Sequence, residues 1–342
     1  MNNGAIDFVL TWVDGREPSF LASKKAYLGD GKLESEEMVG DCRYRSESEM
    51  LRYWFRSIEL FAPWVNRIHF VTCGQKPDWL DENHPKLHLV NHRDYIPSKY
   101  LPTFNANTIE MNFHRISGLA ERYVYFNDDM FLLKPISPSF FFRNGNPVLS
   151  TDLRYPKYLS PTNWCRLLFN DYCVINKCFN LRKSIWKHRR KWFNLKELGV
   201  KRVRQNITCY LANKSLPVGN YGHLALPHLK STLEEIWNMK EKVLDESSYR
   251  KFRSDDQVNQ WLCCAWNQAK GCFSPSLEEK LGLRIVLTPK TIDMAYELII
   301  SQTIPQICIN DTSLNTDYKR SCERMQKAFS YILPERSSFE KY

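Results

Sequence analysis

Acidic side chains occur at the ends of three apolar runs of the sequence. Asp14 follows IDFVLTWV, Asp128 and Asp129 follow YVYFN, and Asn310 and Asp311 follow QICI. Carboxylates are the ligands that hard Mg²⁺ and Mn²⁺ ions accept, commonly together with phosphate oxygens of a substrate. Each acid alone could instead cap a helix or form a turn with its own backbone. These residue types therefore point to a metal and phosphate site, with ordinary turn chemistry as the alternative.

Arginines that could bind phosphate are concentrated in RYRSESEMLRYWFRS, residues 43–57. Arg52 and Arg56 are four residues apart and would share one face of a helix. Guanidinium groups bind phosphate in a bidentate manner and stabilise charge on a transferring phosphoryl group. The alternative is that they pair with nearby glutamates such as Glu49 and Glu59. The candidates for substrate contact are Arg43, Arg52, Arg56 and, in FRSDDQ, Arg253.

Two histidines could accept a proton from an attacking hydroxyl group. His228 stands in LPHLK, and His223 stands five residues earlier in YGHL. Histidine suits this role because its unperturbed pKa lies nearest to physiological pH. A single histidine more often has only a structural role, and the residues alone leave the choice between these two open.

Several common catalytic motifs do not occur in the sequence. GxxxxGK[ST], GxGxxG, GxSxG and HExxH are all missing. Their absence argues against P-loop, dinucleotide-binding, α/β-hydrolase and zinc-peptidase chemistry in their ordinary forms. The chemistry must therefore rest on acids, arginines and a histidine.

Strand-like and helix-like segments alternate in the first part of the chain. Residues 6–14, RIHFVTCG, LHLV and YVYFNDD predict strands, while SESEMLRYWFRSIELFAPWV and NTIEMNFHRISGLAER predict helices between them. This pattern is typical of an open, mostly parallel α/β sheet that binds ligands at the carboxyl ends of its strands. The stretch from about Asp152 to Gly222 is richer in Asn, Lys, Arg and aromatics and predicts an inserted, mainly helical subdomain. The α/β pattern returns at LALPHL, with a helix from about Ser254 and a strand at QICIND.

The charge of the chain indicates an anionic partner. A net charge of +10 over 342 residues suits a nucleotide sugar, an acidic polymer, a membrane face or nucleic acid. KSIWKHRRKWF, residues 183–193, interleaves cations with aromatic rings and could lie at an anionic membrane or hold an acidic polymer. A solvated helix face is the alternative. No RRM, KH or helix-turn-helix pattern accompanies this segment, so we expect no nucleic acid partner.

The cysteines and the apolar segments indicate where in the cell the protein is located. Eleven cysteines without paired CxxC spacing favour thiols in a reducing compartment. The apolar runs fall far short of the ~20 residues that cross a bilayer, and the first run has no export signal. We therefore expect a cytoplasmic protein that can bind peripherally at the inner face of the cell membrane.

Segments of the sequence resemble, in order, the conserved blocks of Stealth proteins. IDFVLTWVDG is similar to the first block. RYRSESEMLRYWFRSIELFAPWVNRIHFVTCGQKPDWL, LPTFNANTIE and YVYFNDDMFL are similar to parts of the second block. LPHL with FRSDDQ resembles the third block, and ICINDT resembles the short fourth block. The resemblance extends from residue 6 to about residue 312.

The Stealth family includes bacterial capsule phosphotransferases and the catalytic subunit of the lysosomal N-acetylglucosamine-1-phosphotransferase. The resemblance implies a GT-A or Rossmann-like nucleotide-sugar-binding core and a divalent metal, Mg²⁺ or Mn²⁺. It also implies transfer of a hexose-1-phosphate from a UDP-sugar to a hydroxyl of a polysaccharide, with a phosphodiester formed and UMP released. The family's functional positions fall here on Asp14, Arg56, Asn107, Asp128, Asp129, His228, Arg253 and Asp311.

The resemblance also assigns roles to these positions. Arg56 and Arg253 would neutralise charge on the phosphoryl oxygens, and His228 would be the base. Asp14 and Asn107 match motif positions of the first and second blocks. The carboxylates expected to hold the metal are Asp129, Asp311 and Asp128. Further substrate contacts are expected from Arg43, Arg52, Asn310 and His223.

We expect the chain to have three parts, and two other functions are alternatives to phosphotransfer. Residues 1–150 would form the nucleotide-sugar-binding part, 151–222 a helical part near the acceptor or membrane, and 223–342 the rest of the core. One rival is a metal-dependent glycosyltransferase that releases UDP instead of UMP. The other is a non-catalytic protein that binds an anionic polymer.

Overall fold

The structure is a computed structural model in which strands and helices alternate. The described residues are 4–28, 48–154, 163–212, 218–219, 221–312 and 315–341. The candidate Arg43 lies outside them. The strands are β1 (Ile6–Thr11), β2 (Ile68–Thr72), β3 (Leu87–Asn91), β4 (Arg122–Asn127), β5 (Met130–Leu132), β6 (Phe142–Arg143), β7 (Asn146–Ser150), β8 (Leu153–Arg154), β9 (Val218–Gly219), β10 (Leu226–Leu229), β11 (Ser274–Ser276), β12 (Leu283–Val286) and β13 (Gln306–Asn310). The helices are α1 (Pro18–Leu28), α2 (Ser48–Phe61), α3 (His92–Tyr95), α4 (Ala106–Glu110), α5 (Asn163–Cys178), α6 (Leu181–Lys187), α7 (Arg189–Trp192), α8 (Leu195–Leu211), α9 (Lys230–Ser248), α10 (Trp261–Lys270), α11 (Glu278–Leu281), α12 (Ile292–Ser301) and α13 (Tyr318–Ile332), with 3₁₀ turns at Ser98–Tyr100, Phe113–Arg115 and Pro138–Phe140.

The central sheet has five strands in the order β10-β4-β1-β2-β3. Strands β4, β1, β2 and β3 run parallel, and β10 runs antiparallel to β4 at the side of the sheet. The four parallel strands therefore bring their carboxyl ends to one edge, where open α/β sheets bind ligands. The predicted α/β class with an open, mostly parallel sheet is confirmed.

Apolar side chains cover both faces of this sheet. On β1, Phe8 and Leu10 lie on one face, in the same cluster as Trp54 of α2. Val9 points to the opposite face and belongs to a second cluster with Trp266 of α10. Because both faces are buried, these strands occur in the sequence as nearly continuous apolar runs.

A three-stranded sheet adjoins the carboxyl edge of β4. It has the order β12-β13-β5, with β13 parallel to β12 and antiparallel to β5. Strand β5 begins directly after the turn at Asp128 and Asp129, and Cys308 of β13 is in register with Met130. The Ile309 amide donates to the Asp129 carbonyl at 2.8 Å. The late strand QICIN is thereby held beside the acids that follow β4.

Helices α5 to α8 follow one another over residues 163–211, within the stretch for which the sequence predicts a mainly helical subdomain. Asn194 caps the N-terminus of helix α8, because its side chain accepts from the Glu197 amide at 3.2 Å. Gly199 breaks α8 after one turn because its φ of 70° is outside the helical region. None of the helices in the described ranges is long and apolar enough to cross a bilayer.

Two predicted helices differ from the structure. The continuous helix predicted over NTIEMNFHRISGLAER is wrong, since α4 ends at Glu110 and only a 3₁₀ turn follows. Asn112 Nδ2 donates to the Thr108 carbonyl at 2.8 Å, so a side chain takes the bond that a continuing helix would give to its backbone. The helix expected from Ser254 begins only at Trp261, because the Gln257 side chain accepts from the Ser254 amide and stabilises a turn instead.

Candidate active site

The Asp129 carboxylate lies in the turn between β4 and β5, at the carboxyl edge of the central sheet. Its Oδ2 atom is 3.3 Å from Cys308 Sγ and 3.4 Å from Asn310 Nδ2, and both groups can donate to it. Its Oδ1 atom is buried and accepts no hydrogen bond from the described residues. A buried carboxylate oxygen without a donor is costly, so this atom needs a cation or a ligand proton.

His223 approaches the same carboxylate from the segment that precedes β10. Its Nε2 atom is 3.9 Å from Asp129 Oδ2 and 3.4 Å from Asn127 Nδ2. The side chain is 31% exposed, so a substrate hydroxyl can reach the ring. When the Asn127 amide donates to Nε2, that nitrogen is unprotonated, and a substrate hydroxyl that takes the place of the amide meets the lone pair that a general base needs.

The residues around Asp129 fit a hard divalent cation in part. Asp129, His223 and Cys308 offer ligand atoms within 4.8 Å of one another, the one such group of three among the described residues. Burial, together with the negative charge of Asp129, raises the pKa of the Cys308 thiol well above its usual value, so the sulfur keeps its proton. Cys308 donates a hydrogen bond to Asp129 Oδ2, and a soft sulfur ligand suits a hard cation such as Mg²⁺ poorly. The buried Oδ1 atom of Asp129, which accepts no hydrogen bond from the described residues, is the group that fits Mg²⁺, an ion that commonly uses one or two carboxylates plus phosphate and water.

The three carboxylates expected to share the metal do not form one tight cluster. Asp128, Asp129 and Asp311 are not grouped with their oxygens all within 4.8 Å of one another. Asp311 Oδ1 accepts from Asn315 Nδ2 at 2.8 Å. Asp311 directly follows Asn310, whose amide contacts Asp129. It is therefore the second carboxylate to consider at this edge.

A buried chain of polar groups runs from this site into the protein. The Tyr125 hydroxyl is 3.1 Å from Glu110 Oε1 and 3.1 Å from Thr11 Oγ1, and it also contacts Asn127 Oδ1. Burial raises the pKa of Glu110 to about 7, although the charge of Arg253 and the hydrogen bond from Tyr125 oppose the shift. Tyr125 thus holds the amide of Asn127, and Asn127 in turn contacts His223.

Arg253 reaches this region on a segment that packs against α4. Asn105 Nδ2 donates to the carbonyls of Arg250 and Phe252 at 3.0 and 3.1 Å. Asn107, one of the expected site residues, donates to Gln257 Oε1 at 3.3 Å and is buried. Within the described residues Arg253 shows no hydrogen bond or ion pair, only the influence of its charge on Glu110 and Tyr125. Its half-buried guanidinium is therefore free to bind an anion.

The structure places His228 away from Asp129. It lies on β10 opposite Tyr123, four residues before the end of β4, which is about 13 Å along the strand. Only 2% of it is exposed, and its Nε2 atom is 3.1 Å from Gln260 Oε1. Burial lowers the pKa of His228 to about 4, so the ring is neutral at pH 7. These contacts describe a core residue that supports the segment carrying Arg253.

Asp14 and the arginines of α2 have protein partners. Asp14 Oδ1 accepts from the backbone amide of Arg16 at 2.9 Å and so forms a turn at the end of β1. Arg56 Nε and Nη2 donate to the two oxygens of Glu340 at 2.7 and 2.9 Å, and Arg52 Nη1 donates to Glu340 at 3.1 Å. Arg56 Nη1 also donates to the Leu333 carbonyl at 3.1 Å. The structure therefore joins both arginines to the C-terminal segment and does not bring them to Asp129 through any described contact.

We expect the substitution Glu340→Gln to lower the free energy of unfolding. Burial alone would raise the pKa of Glu340, but hydrogen bonds from Arg56, the Ser337 backbone and Arg52 outweigh burial and lower it to about 2. A carboxyl whose pKa falls this far on folding contributes on the order of 3 kcal/mol to the free energy of unfolding at neutral pH. That contribution is complete above the unfolded pKa of ~4.3 and is lost as the pH falls through the folded pKa.

Denaturant unfolding of the wild type and of Glu340→Gln, from pH 7 down to pH 3, measures this effect. The difference should be about 3 kcal/mol at pH 7 and should shrink towards acid. Glu335→Gln is the matched control, because Glu335 is exposed. A difference at pH 7 no larger than that of the control would contradict the role given to Glu340.

Four residues of this site were not among the sequence candidates: Cys308, Glu110, Tyr125 and Asn127. Cys308 and Asn310 are two residues apart on one strand, so they share a face, and this spacing could have placed Cys308 beside Asp129. Glu110 lies in NTIE, close to the candidate Asn107. Nothing in its local sequence distinguishes it from a surface glutamate, since its burial arises from β4 and the segment of Arg253.

Comparisons with known proteins identify the family of the chain. Two family models match the chain: Stealth protein CR1, conserved region 1, over residues 4–32, and Stealth protein CR2, conserved region 2, over residues 43–149. The capsular polysaccharide phosphotransferase WcwK of Streptococcus pneumoniae is 37% identical over 343 residues, which cover 98% of this chain and 99% of WcwK. The receptor polysaccharide phosphotransferase WefC of Streptococcus oralis is 37% identical over 339 residues, which cover 98% and 99%. Among solved structures, the galactosyltransferase LgtC in complex with donor and acceptor sugar analogs has a TM-score of 0.43 at 10% identity, covering 97% of this chain and 96% of LgtC.

Proposed function

Because the chain belongs to the Stealth family of polysaccharide phosphotransferases, we propose that it moves a sugar-1-phosphate from a nucleotide sugar to a hydroxyl of a cell-surface polysaccharide. The bond broken lies between the two phosphates of the donor. A nucleoside monophosphate leaves, and the product carries a phosphodiester. A UDP-hexose is the donor we propose, with UMP as the leaving group.

The observation that carries this proposal is the meeting of Asp129, His223 and Asn127 at the carboxyl edge of the sheet. Asp129 would hold Mg²⁺ or Mn²⁺ through Oδ1, the oxygen that accepts no hydrogen bond from the described residues. Asp311 and then Asp128 are the further candidate ligands. Such an ion binds donor phosphate oxygens and lowers the cost of charge on them. Cys308 and Asn310 fix the carboxylate by donating to its other oxygen.

Arg253 and His223 supply the remaining chemistry in this proposal. The Arg253 guanidinium binds the donor phosphates, since it makes no ion pair with any described residue. His223 takes the proton of the acceptor hydroxyl as the oxygen attacks the phosphorus that bears the sugar. The chain Glu110, Tyr125 and Asn127 holds the His223 ring in place. We place the reaction in the cytoplasm, a reducing compartment in which the ten free cysteines of the described residues would stay thiols.

Arg253→Ala is expected to lower kcat/KM for the donor by about 10²-fold, because a preorganised cation opposite the phosphates is lost. Arg250→Ala is the matched control, since Arg250 pairs with Asp256 at the surface of the same segment. Both variants are measured by the initial rate of nucleotide release over a range of donor concentrations. Equal rates for the two variants would remove Arg253 from the donor site.

Chromatography of the nucleotide released from a panel of UDP-, GDP- and CDP-sugars tests the proposal as a whole. Release of a nucleoside monophosphate that depends on the acceptor supports it. Release of a nucleoside diphosphate would instead identify an ordinary glycosyltransferase.

A further inference from the structure

The positive charge of the chain is concentrated in the helices α6, α7 and α8. Residues 181–211 contain ten Lys and Arg residues and one acid, Glu197, while the whole chain has a net charge of +10. Outside this stretch the chain is therefore close to neutral. The proposed active site accounts for none of these cations, since its residues lie on other elements.

Most of these cations face solvent without an acidic partner. A solvated protein surface usually mixes both signs of charge and pairs many of them. Here the exposed side chains make no ion pair with any described residue, and the local acid Glu197 contacts Arg143 instead. The exposed cations without an acidic partner in the described ranges are Lys183, Lys187, Arg189, Arg190, Lys196, Lys201 and Arg204.

Apolar side chains are exposed among the cations. Val200, Ile207 and Leu211 of α8 are 66%, 41% and 65% exposed. With Arg204 they recur at helical spacing, so they form one stripe along the outer face of α8. The exposed stripe is unusual because aliphatic side chains of this size are normally buried in a monomer.

Trp186 of α6 lies next to the end of this stripe. Its ring stacks on Tyr210 with centroids 6.1 Å apart and an angle of 19° between the planes. The Arg189 guanidinium lies 5.3 Å from the centroid of the Trp186 ring. Trp186 is nevertheless 56% exposed, so one side of the ring remains in water. The basic face is defined here as the exposed cations named above together with Trp186, Val200, Ile207 and Leu211.

We propose that the basic face binds the surface of a membrane that contains anionic lipids. Lys and Arg are attracted to anionic head groups, and Trp favours the boundary between head groups and acyl chains. Val, Ile and Leu gain by leaving water for the acyl region, as in amphipathic helices that lie in the plane of a membrane. An acidic polysaccharide offers no comparable apolar phase, so the aliphatic stripe favours lipid over polymer. This proposal is independent of the proposed catalytic function.

Flotation of the full chain with vesicles tests the proposal. The vesicles are phosphatidylcholine alone or phosphatidylcholine mixed with phosphatidylglycerol. Wild type should bind the mixed vesicles at least about tenfold more tightly, and this preference should weaken as salt is raised. The double variant K201E/R204E should lose at least about 30-fold in affinity, because each cation near the surface contributes about 1 kcal/mol and the two glutamates add repulsion from the anionic lipids. The double variant V200S/L211S should lose about tenfold with no change in charge.

The matched control is K242E/K290E, which changes the net charge equally at exposed lysines outside residues 181–211. It should keep binding within about threefold of wild type. Equal binding to both kinds of vesicle would overturn the proposal. So would loss of binding in K242E/K290E as large as in K201E/R204E. Dextran sulfate serves as a soluble polyanion: if V200S/L211S binds vesicles like wild type and dextran sulfate displaces both equally, the face binds polymer and the lipid proposal fails.

Discussion

Asp129→Asn should lower turnover by about 10³-fold or more while the protein stays folded. The substitution keeps the shape of the side chain but removes the negative charge next to the buried Oδ1 atom, which has no donor among the described residues. In the proposed mechanism a divalent cation would then lose its carboxylate ligand, and the donor phosphates would lose the charge of that cation. Turnover at saturating donor and the midpoint of thermal unfolding are the two measurements.

The control for this prediction is Asp293→Asn, an exposed aspartate that pairs with Arg324 at the surface. A second readout is the affinity for Mn²⁺ in the presence of the donor nucleotide, which should fall in Asp129→Asn and not in Asp293→Asn. Turnover within about tenfold of wild type would contradict the role of Asp129. A protein that only binds an anionic polymer would keep its polymer affinity in Asp129→Asn and show no turnover in the wild type.

His223→Gln should lower kcat by about 10²- to 10⁴-fold with little change in the KM for the donor. The side chain is half exposed and its Nε2 atom is beside Asp129 and Asn127, where an acceptor hydroxyl can enter. A proton acceptor acts in the chemical step, so its loss affects the rate more than the binding of the donor. Steady-state kinetics over both substrates measures the two effects separately.

His228→Gln is the comparison that makes this test decisive. His228 is buried on β10 and is bonded to Gln260, so the substitution should lower stability more than kcat. We expect folded His228→Gln to keep turnover within about tenfold of wild type. The reverse ranking, with His223→Gln active and His228→Gln folded but inactive, would assign the base to His228.

The ends of the strands could be predicted from the sequence because each is marked by a short apolar run that ends in polar residues. The runs before Asp14, Asp128 and Asn310 are apolar on both faces, and such runs in an alternating α/β pattern lead their last residues to one edge. The pairing of β13 with β5, which follows the turn after β4, depends on a register that no local pattern contains. Asp129 could thus be predicted as a candidate, but its contact with Cys308 could not.

The predictions differ from the structure where a residue contacts another that is far away in the sequence. Arg56 and Glu340 are 284 residues apart, and nothing near Arg56 indicates that its charge is matched by the C-terminal segment. His223 and His228 are five residues apart, yet the antiparallel course of β10 leaves one at the edge and carries the other into the core. The burial of Glu110 likewise depends on Tyr125 and on the segment of Arg253. Each of these features depends on which elements pack together.

The fate of the donor's phosphorus tests the central claim most directly. Phosphorus NMR of the product, made with wild-type protein, a nucleotide sugar, Mg²⁺ and a polysaccharide acceptor, distinguishes the two bonds that could break. The proposed function predicts a phosphodiester resonance in the polysaccharide and an equal amount of nucleoside monophosphate. A product without phosphorus, together with nucleoside diphosphate, would contradict it.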